Sequence, residues 1–268
     1  MHIKPKKSLG QNFLIDKNIQ KKIIRACHLA KEDIVLEIGS GKGDLTAQFA
    51  QSVKKVYALE IDQRLYPCLE QNLVAYDNCQ IIKSDILKFN ISKFLLEHKI
   101  RQKIKVIGNI PYYISSPIIQ QLILYRKVIS EAFITVQKEF GRRARAVPGS
   151  KEYGSFSCFL QYYCQCEILF AIKKNSFKPA PNVESCFLSL KFRESPPVLV
   201  KDQELFFKLV RAAFNQRRKT LRNSLEGLVA QDRLNNFLQS FGLDNNVRPE
   251  DLSLEEFASL SNYLGPEG

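Results

Sequence analysis

The sequence predicts an α/β fold, in which a mostly parallel β-sheet is covered by helices, followed by a small all-α domain. Short β-branched apolar runs alternate with helix-like stretches over the first half of the chain, as in consecutive βαβ units. After Ser195-Pro196-Pro197 the apolar spacing becomes helical. We therefore predict two domains, residues 1–194 and 195–268.

The apolar runs predict individual strands and helices. Five parallel strands are predicted at 34–38, 56–61, 80–83, 105–108 and 132–137. Two further strands, 164–172 and 187–192, have no long helical stretch between them, so we expect an antiparallel pair at one end of the sheet. The helices of the second domain are predicted at 203–213, 217–225, 231–241 and 254–263. Ser253 to Glu256 form a capping box that opens the last helix.

The composition describes a globular protein with a strongly basic surface. Of its 268 residues, 45% are hydrophobic and 25% are charged, and the formal net charge is +13. Basic side chains concentrate in three segments, 1–26, 138–151 and 205–225, the last of which contains no acid. Because clustered cations displace counterions from phosphates, this distribution favours a nucleic-acid partner over a merely basic surface.

The two later basic segments supply the candidates for binding nucleic acid. These are Lys138, Arg142, Arg211, Arg217, Arg218, Lys219 and Arg222. On a helix, the spacing from Arg211 through Arg218 to Arg222 places the three cations on one polar face. An ordinary solvated helix face is the alternative.

Membrane, secreted and metal-binding classes are disfavoured. There is no 18-residue apolar run and no apolar signal core, so we expect a cytoplasmic protein without a membrane span. The seven cysteines contain no Cys-x-x-Cys pair and the three histidines have no zinc-ligand spacing, which predicts free thiols and no metal site. Cys164 and Cys166 lie in an aromatic, strand-like run, 159–170, and are expected on one packed face.

A glycine-rich loop follows the first predicted strand. Gly39, Gly41 and Gly43 alternate with other residues, a spacing that matches neither the phosphate loop nor the full dinucleotide pattern. Glycines allow a sharp turn and a close approach of backbone to ligand, although a tight βα turn would use them equally. The next strands end in Glu60 and Asp85, which suit a ribose and an adenine amino group, or else N-caps of the following helices.

The fourth strand ends in Asn109-Ile110-Pro111-Tyr112. The Asn109 side-chain oxygen and the Ile110 carbonyl provide two acceptors for one exocyclic amino group, and Tyr112 offers a face for stacking a base. Asn-x-Pro is also common turn chemistry. A glycine-rich loop after the first strand and polar residues at the next three strand ends form a joint pattern that caps alone explain poorly, and ligands bind at this edge of open α/β sheets.

These residues resemble the S-adenosylmethionine-dependent RNA adenine-N6 dimethyltransferases, specifically the small-subunit ribosomal RNA enzymes. The resemblance extends from Lys7-Ser8-Leu9-Gly10-Gln11-Asn12-Phe13-Leu14 through Phe177-x-Pro179-x-Pro181-x-Val183-x-Ser185 to Gln216-Arg217-Arg218-Lys219-Thr220-Leu221-Arg222. Ser40, Tyr113 and Phe140-Gly141 depart from the usual residues, and Tyr113 affects the expected shape of the target pocket.

The resemblance implies a Rossmann-like methyltransferase fold, the cofactor S-adenosyl-L-methionine and a monomer acting on the small ribosomal subunit or its precursor. The implied cofactor residues are Asn12, Leu14, Gly39, Gly41, Glu60, Asp85 and Asn109. The implied catalytic residues are Asn109, Ile110, Tyr112 and Phe177, the last of which could instead be a packed turn aromatic. N6,N6-dimethylation of two adjacent adenosines in the 3′-terminal hairpin follows from the resemblance only.

Three other functions remain open from the sequence. A DNA adenine methyltransferase would share the amino-group pocket, but these enzymes more often carry two consecutive prolines. The second is a large-subunit ribosomal RNA dimethyltransferase of the antibiotic-resistance type, against which the basic string after Gln216 argues. The third is a mainly non-catalytic factor in small-subunit assembly. Its residues for binding RNA would look the same in the sequence as those of an enzyme.

Overall fold

The computed structural model describes residues 3–216 and 219–265, which form two compact units. The first unit consists of Met1–Gly141 and Gln165–Phe192, and the second of Arg142–Cys164 and Arg193–Gly268. The predicted domain division at residues 194 and 195 remains a prediction. The compact units break the chain after Phe192 instead, and they assign segment 142–164 to the helical unit.

Strands and helices alternate through the first unit. The strands of the described residues are β1 (Phe13–Leu14), β2 (Ile34–Ile38), β3 (Lys55–Glu60), β4 (Cys79–Lys83), β5 (Ile104–Asn109), β6 (Ile129–Gln137), β7 (Cys164–Ile172), β8 (Phe177–Lys178) and β9 (Ser185–Phe192). The helices that begin in this unit are α1 (Lys17–Ala26), α2 (Asp44–Ala50), α3 (Tyr66–Leu73), α4 (Ile91–Glu97), α5 (Ser115–Leu124) and α6 (Lys138–Arg145).

The main sheet has seven strands in the order β4-β3-β2-β5-β6-β9-β7. Strands β2 to β6 pair in parallel, whereas β9 is antiparallel to β6. This confirms the predicted mostly parallel α/β fold, with the last two long strands at one end. The strand order reverses between β2 and β5, which creates a crevice at their carboxyl ends.

An apolar core packs against the sheet and fixes the strands whose ends form the site. All five residues of β2 are buried, including Glu37, and the strand is covered by residues such as Ile23 and Phe49 from the flanking helices. A buried parallel strand is expected to read as a continuous apolar run, as β2 does apart from its one acid. A separate two-stranded sheet pairs β1 with β8.

The second unit is helical. Its helices are α7 (Ser155–Tyr163), α8 (Gln203–Phe214), α9 (Leu221–Ser224), α10 (Gln231–Ser240) and α11 (Leu254–Leu264). Buried Phe206, Phe237 and Phe257 contribute to its core. The capping box of α11 is confirmed: the Ser253 amide donates to the Glu256 carboxylate, and the Glu256 amide donates to Ser253 Oγ.

Two sequence expectations in this unit are wrong. The run 159–170 is not all strand, because its beginning lies in α7, where Phe159 and Tyr162 pack at helical spacing against Phe207. The predicted helix 217–225 is also shorter, since Thr220 has an extended backbone and its side chain caps α9. Arg211 lies in α8 and Arg222 in α9, so the expectation that the two cations share one helical face is wrong.

None of the helices in the described residues combines the length and apolarity that crossing a bilayer requires.

Candidate active site

A cavity opens where the parallel strands of the first unit end. It is lined by residues 9–13, by the loop residues Gly39 and Gly41, by the strand-end acids Glu60 and Asp85, and by residues 109–114. The carboxyl ends of four neighbouring parallel strands thus contribute to one wall. This is the ligand-binding edge of an open α/β sheet.

The glycine-rich loop is pinned to the end of β3. Gly39 and Gly41 have φ angles of 73° and 60°, a left-handed backbone that glycine adopts without strain. The amides of Gly39 and Ser40 donate to the Leu59 carbonyl, at 2.8 and 3.2 Å. The loop therefore presents backbone, with no β-carbon at Gly39 or Gly41, to the cavity.

Glu60 is a buried carboxylate that orders the surrounding backbone. It is 4% exposed and accepts hydrogen bonds from the amides of Gly41, Ile61 and Asp62, at 2.8, 3.0 and 2.8 Å. Burial raises its pKa, and the three amide bonds oppose that shift. Because a carboxylate has about four acceptor sites, one site remains for a ligand hydroxyl.

Asp85 is an N-cap, as one of the two sequence alternatives predicted, and its role toward an adenine amino group remains a prediction. Its Oδ1 accepts from the Leu87 amide at 2.9 Å and so caps a 3₁₀ turn, Ile86–Lys88. The residue also lines the cavity. A carboxylate with one oxygen engaged in a cap keeps acceptor capacity for a donor on a ligand.

The N-terminal segment forms the opposite wall and is tied down by groups that the sequence reasoning missed. Gln11 Nε2 donates to Asp62 Oδ2 at 2.8 Å, while its Oε1 accepts from the Lys6 amide. Arg64 bonds to the same buried Asp62 carboxylate at 2.6 Å and holds its pKa down at about 2. Asp62 lies two residues beyond the expected ribose acid, and only the fold shows that Gln11 reaches it.

Asn109 joins the two walls. Its side-chain Nδ2 donates to the Asn12 carbonyl at 2.9 Å. This bond engages the amide nitrogen and leaves the amide oxygen as an acceptor at the cavity wall. Ile110, which follows it, is 2% exposed, so the backbone here is fixed by a buried side chain.

The two tyrosines after Pro111 have different surroundings. Tyr112 is half-buried, and its hydroxyl is hydrogen-bonded to that of Ser185. Burial raises the pKa of Tyr112. Tyr113 is 63% exposed, and its hydroxyl donates to the Ser8 carbonyl at 3.3 Å. Tyr113, one of the departures from the family pattern, thus contacts the N-terminal wall.

Leu14 and Phe177 are placed differently from the other predicted site residues. Both are buried in the apolar core, at 7% and 3% exposure, and they face each other as partners in the β1–β8 pair. Neither lines the cavity. The structure gives Phe177 the packing role that the sequence left as its alternative, and its stacking role remains a prediction.

The basic candidates divide between the two units. In the first, Lys138 forms an ion pair with Glu184 at 2.7 Å. In the second, the side chains of Arg142, Arg211, Lys219 and Arg222 are exposed. The Arg222 Nε donates to Gln231 at 2.9 Å. Arg217 and Arg218 lie outside the described residues.

Glu37 is a second buried acid for which the sequence reasoning proposed no role. It lies in the middle of apolar β2 and accepts a hydrogen bond from Thr46 Oγ1 at 2.5 Å. Burial raises its pKa to about 7 against this bond and a second one from Ser40. An acid inside a continuous apolar strand was the available signal.

Within the described ranges, no three His, Cys, Asp or Glu side chains are grouped to hold a metal ion.

The fold and the strand-end cavity define a Rossmann-like methyltransferase. The dimethyladenosine transferase from Plasmodium falciparum has a similar structure, with a TM-score of 0.76 and 26% identity over 92% of this chain and 95% of that one. The 23S rRNA methyltransferase ErmE shares the fold at a TM-score of 0.75 and 24% identity, over 94% of this chain and 99% of that one.

The sequence model of ribosomal RNA adenine dimethylase matches residues 2–265, and the chain belongs to that family. Ribosomal RNA small subunit methyltransferase A of Geobacillus thermodenitrificans (strain NG80-2) is 44% identical, over 97% of this chain and 91% of that protein. Its counterpart in Caldanaerobacter subterraneus subsp. tengcongensis is 44% identical over 98% of both chains. The chain is therefore a methyltransferase with S-adenosyl-L-methionine as its cofactor, and the remaining acceptor sites of Glu60 and Asp85 fit an adenosine.

Glu37→Gln should flatten the pH dependence of the free energy of unfolding. Between about pH 4.5 and 7 the unfolded chain has an ionised Glu37 and the folded chain a protonated one. The folded state then binds more protons, so the parent loses stability relative to the variant as pH rises through this window. Urea unfolding at several pH values measures the difference, with the exposed Glu97→Gln as matched control. A parallel pair of curves for parent and Glu37→Gln would contradict the assignment.

Proposed function

We propose that this protein dimethylates N6 of two adjacent adenosines in the 3′-terminal hairpin of small-subunit ribosomal RNA, during biogenesis of that subunit. The observation that carries the proposal is Asn109-Ile110-Pro111-Tyr112 at the edge of the cavity that Glu60 and Asp85 also line. Relatives at 44% identity are named for the small subunit. The large-subunit alternative has weaker support, because ErmE at 24% identity shares only the fold.

The cofactor is proposed to lie along the strand ends. Gly39 and Gly41 provide backbone for close approach, Glu60 accepts from the ribose, and Asp85 accepts from the adenine amino group. Asn12 and Asn109, which are joined by a hydrogen bond, are proposed to border the methionine side. Leu14, also expected there, would act by packing behind the N-terminal wall, since it does not line the cavity.

The target nitrogen is proposed to be held by two acceptors. Adenine N6 is a weak nucleophile because its lone pair is delocalised into the ring. Hydrogen bonds from its amino group to Asn109 Oδ1 and the Ile110 carbonyl would favour a pyramidal nitrogen whose lone pair is available. Bound S-adenosyl-L-methionine supplies an electrophilic methyl group. The chain's contribution is alignment, and the proton released from the methylated nitrogen passes to solvent.

The target base has to leave its stack before it reaches Asn109. Unstacking costs a few kcal/mol, and stacking on an aromatic ring returns roughly 1–3 kcal/mol. Tyr112, which lines the cavity, is the proposed platform, and its ring face would also stabilise positive charge on nitrogen. Phe177, at 3% exposure, would contribute a second face only after leaving its packed position.

The RNA is proposed to be gripped through its phosphates by the basic residues Lys138, Arg142, Arg211, Arg217, Arg218, Lys219 and Arg222. Four of them have exposed side chains in the second unit, where cations are free to approach a backbone. We further propose that the protein acts as a monomer, in the cytoplasm, on the small subunit or its precursor.

Glu60→Ala and Asp85→Ala should each weaken binding of S-adenosyl-L-methionine. Each change removes a charge-assisted acceptor, worth roughly 1.5–3 kcal/mol, or about 10- to 150-fold in Kd. Isothermal titration calorimetry on the folded variants measures the loss. Glu70→Ala is the control, because that glutamate pairs with Lys83 and does not line the cavity. Unchanged affinity in both site variants would rule out this adenosine position.

Asn109→Ala should abolish methylation more completely than it weakens RNA binding, because its acceptor matters most as the nitrogen changes geometry. Single-turnover methylation of purified small-subunit particles measures the rate, and particle binding is measured in parallel. The cofactor affinity of the variant reports whether the Asn12 contact was also lost. A near-normal methylation rate would exclude the proposed amino-group pocket.

Replacing Arg211, Lys219 and Arg222 together by Ala should weaken particle binding and reduce its salt dependence. The slope of log K against log salt should fall by up to about 0.9 for each lost duplex contact, or 0.7 for single strands. The control replaces Lys31, Lys93 and Lys127, which are exposed and lie outside the three basic segments. Equal losses in both triple variants would mean that net charge alone drives binding.

A further inference from the structure

Tyr112 is held at its hydroxyl by a residue from a distant part of the chain. Its partner is Ser185, 73 positions later, and the two hydroxyls are hydrogen-bonded to each other. Tyr112 opens a 3₁₀ turn, Tyr112–Ile114, directly after Pro111. Its backbone is thus fixed by the end of β5, whereas its ring direction depends on what the far end of the side chain meets.

The position of Ser185 is itself strongly determined. It is the first residue of β9, is fully buried, and lies opposite Gln137 at the end of β6. Beside it, the Lys138 amide donates to the Glu184 carbonyl at 3.0 Å, and the two side chains form an ion pair at 2.7 Å. Ser185 is therefore anchored by the sheet and by the chain just before it.

A ring anchored at both ends has a defined face. The terminal torsion of a tyrosine is broad, so packing and the hydroxyl contact decide the orientation of the ring. A buried hydroxyl also needs a partner, and Ser185 provides one without occupying the cavity. The cavity is lined by Tyr112 but not by Ser185.

We propose that Ser185 is a positioning residue for the methyl transfer, which sets the Tyr112 ring in the orientation that stacks the target adenine. It acts through Tyr112 and touches neither the cofactor site nor the target base. The proposal rests on the proposed function, because it assumes that Tyr112 receives the base. Its consequence is that the hydroxyl of Tyr112 contributes to the rate only while Ser185 offers a partner.

The test compares two serines of the same strand. Ser185→Ala should lower the single-turnover rate of small-subunit methylation about 3- to 10-fold, the range that one net hydrogen bond provides, and leave the cofactor Kd unchanged. The control is Ser189→Ala, because Ser189 is also buried in β9 and donates to Glu131 at 2.6 Å, four residues further along the strand. We expect Ser189→Ala to lower the free energy of unfolding by a similar amount and to leave the methylation rate unchanged. Equal rate losses in folded Ser185→Ala and Ser189→Ala would overturn the proposal.

A double-mutant cycle isolates the pair. Tyr112→Phe should slow the reaction as much as Ser185→Ala, and the double variant should be no slower than either. Losses that multiply would overturn the proposal. Ser185→Cys fills the same space with a weak hydrogen-bonding group, so it should remain slow, and a full parental rate would overturn the proposal by showing that volume alone matters. Tyr112→Phe leaves Ser185 in place, so it tests the bond even if Ser185→Ala does not fold.

The same assays separate this inference from the proposed function. If the parent protein does not methylate small-subunit particles, the proposed function fails. If the parent is active and Tyr112→Ala is slow, but Ser185→Ala and Tyr112→Phe react at the parental rate, only the role of Ser185 fails.

Discussion

The parallel pairing of β2 with β3 on one side and β5 on the other brings the candidate site residues of this protein together. The strand order reverses between β2 and β5. The chain segments that leave these two strands therefore run in opposite directions along the sheet and leave a crevice at their carboxyl ends. Gly39 follows β2, Glu60 ends β3 and Asn109 ends β5, so one register of backbone hydrogen bonds sets the spacing of all three. A shift of either neighbour by one residue would turn these side chains to the other face of the sheet.

Three buried acids maintain this arrangement, each through hydrogen bonds to a different set of donors. Glu60 collects three backbone amides and so ties the glycine loop to the strand end. Asp62, held ionised by Arg64, connects the N-terminal wall to the same region through Gln11. Glu37 accepts hydrogen bonds from the hydroxyl groups of Thr46 and Ser40, and burial raises its pKa to about 7 against them. Burial disfavours the ionised form of all three carboxylates. Their pKa values differ because the donors that oppose this effect differ.

The proposed chemistry needs little from the protein beyond placement. The residues at the amino-group pocket are an amide, a carbonyl and an aromatic ring, none of which takes a proton in the proposed reaction. Their value depends on fixed geometry, and the structure fixes them from several directions: Asn109 through Asn12, Ile110 through burial, and Tyr112 through Ser185. Rigid supports of this kind are what alignment catalysis requires.

The sequence by itself determined the seven strands of the main sheet, the strand-end residues and the family, because β-branched runs and local motifs encode short-range structure. Only the tertiary structure decided which distant residues meet: Gln11 with Asp62, Asn109 with Asn12, and Tyr112 with Ser185. It also placed Phe177 in the core and made the helix after α8 begin at Leu221 rather than at residue 217, since Thr220 caps that helix. At these positions the apolar spacing of the sequence predicts one local structure, and packing and caps favour another. Which of them forms depends on contacts made across long stretches of chain.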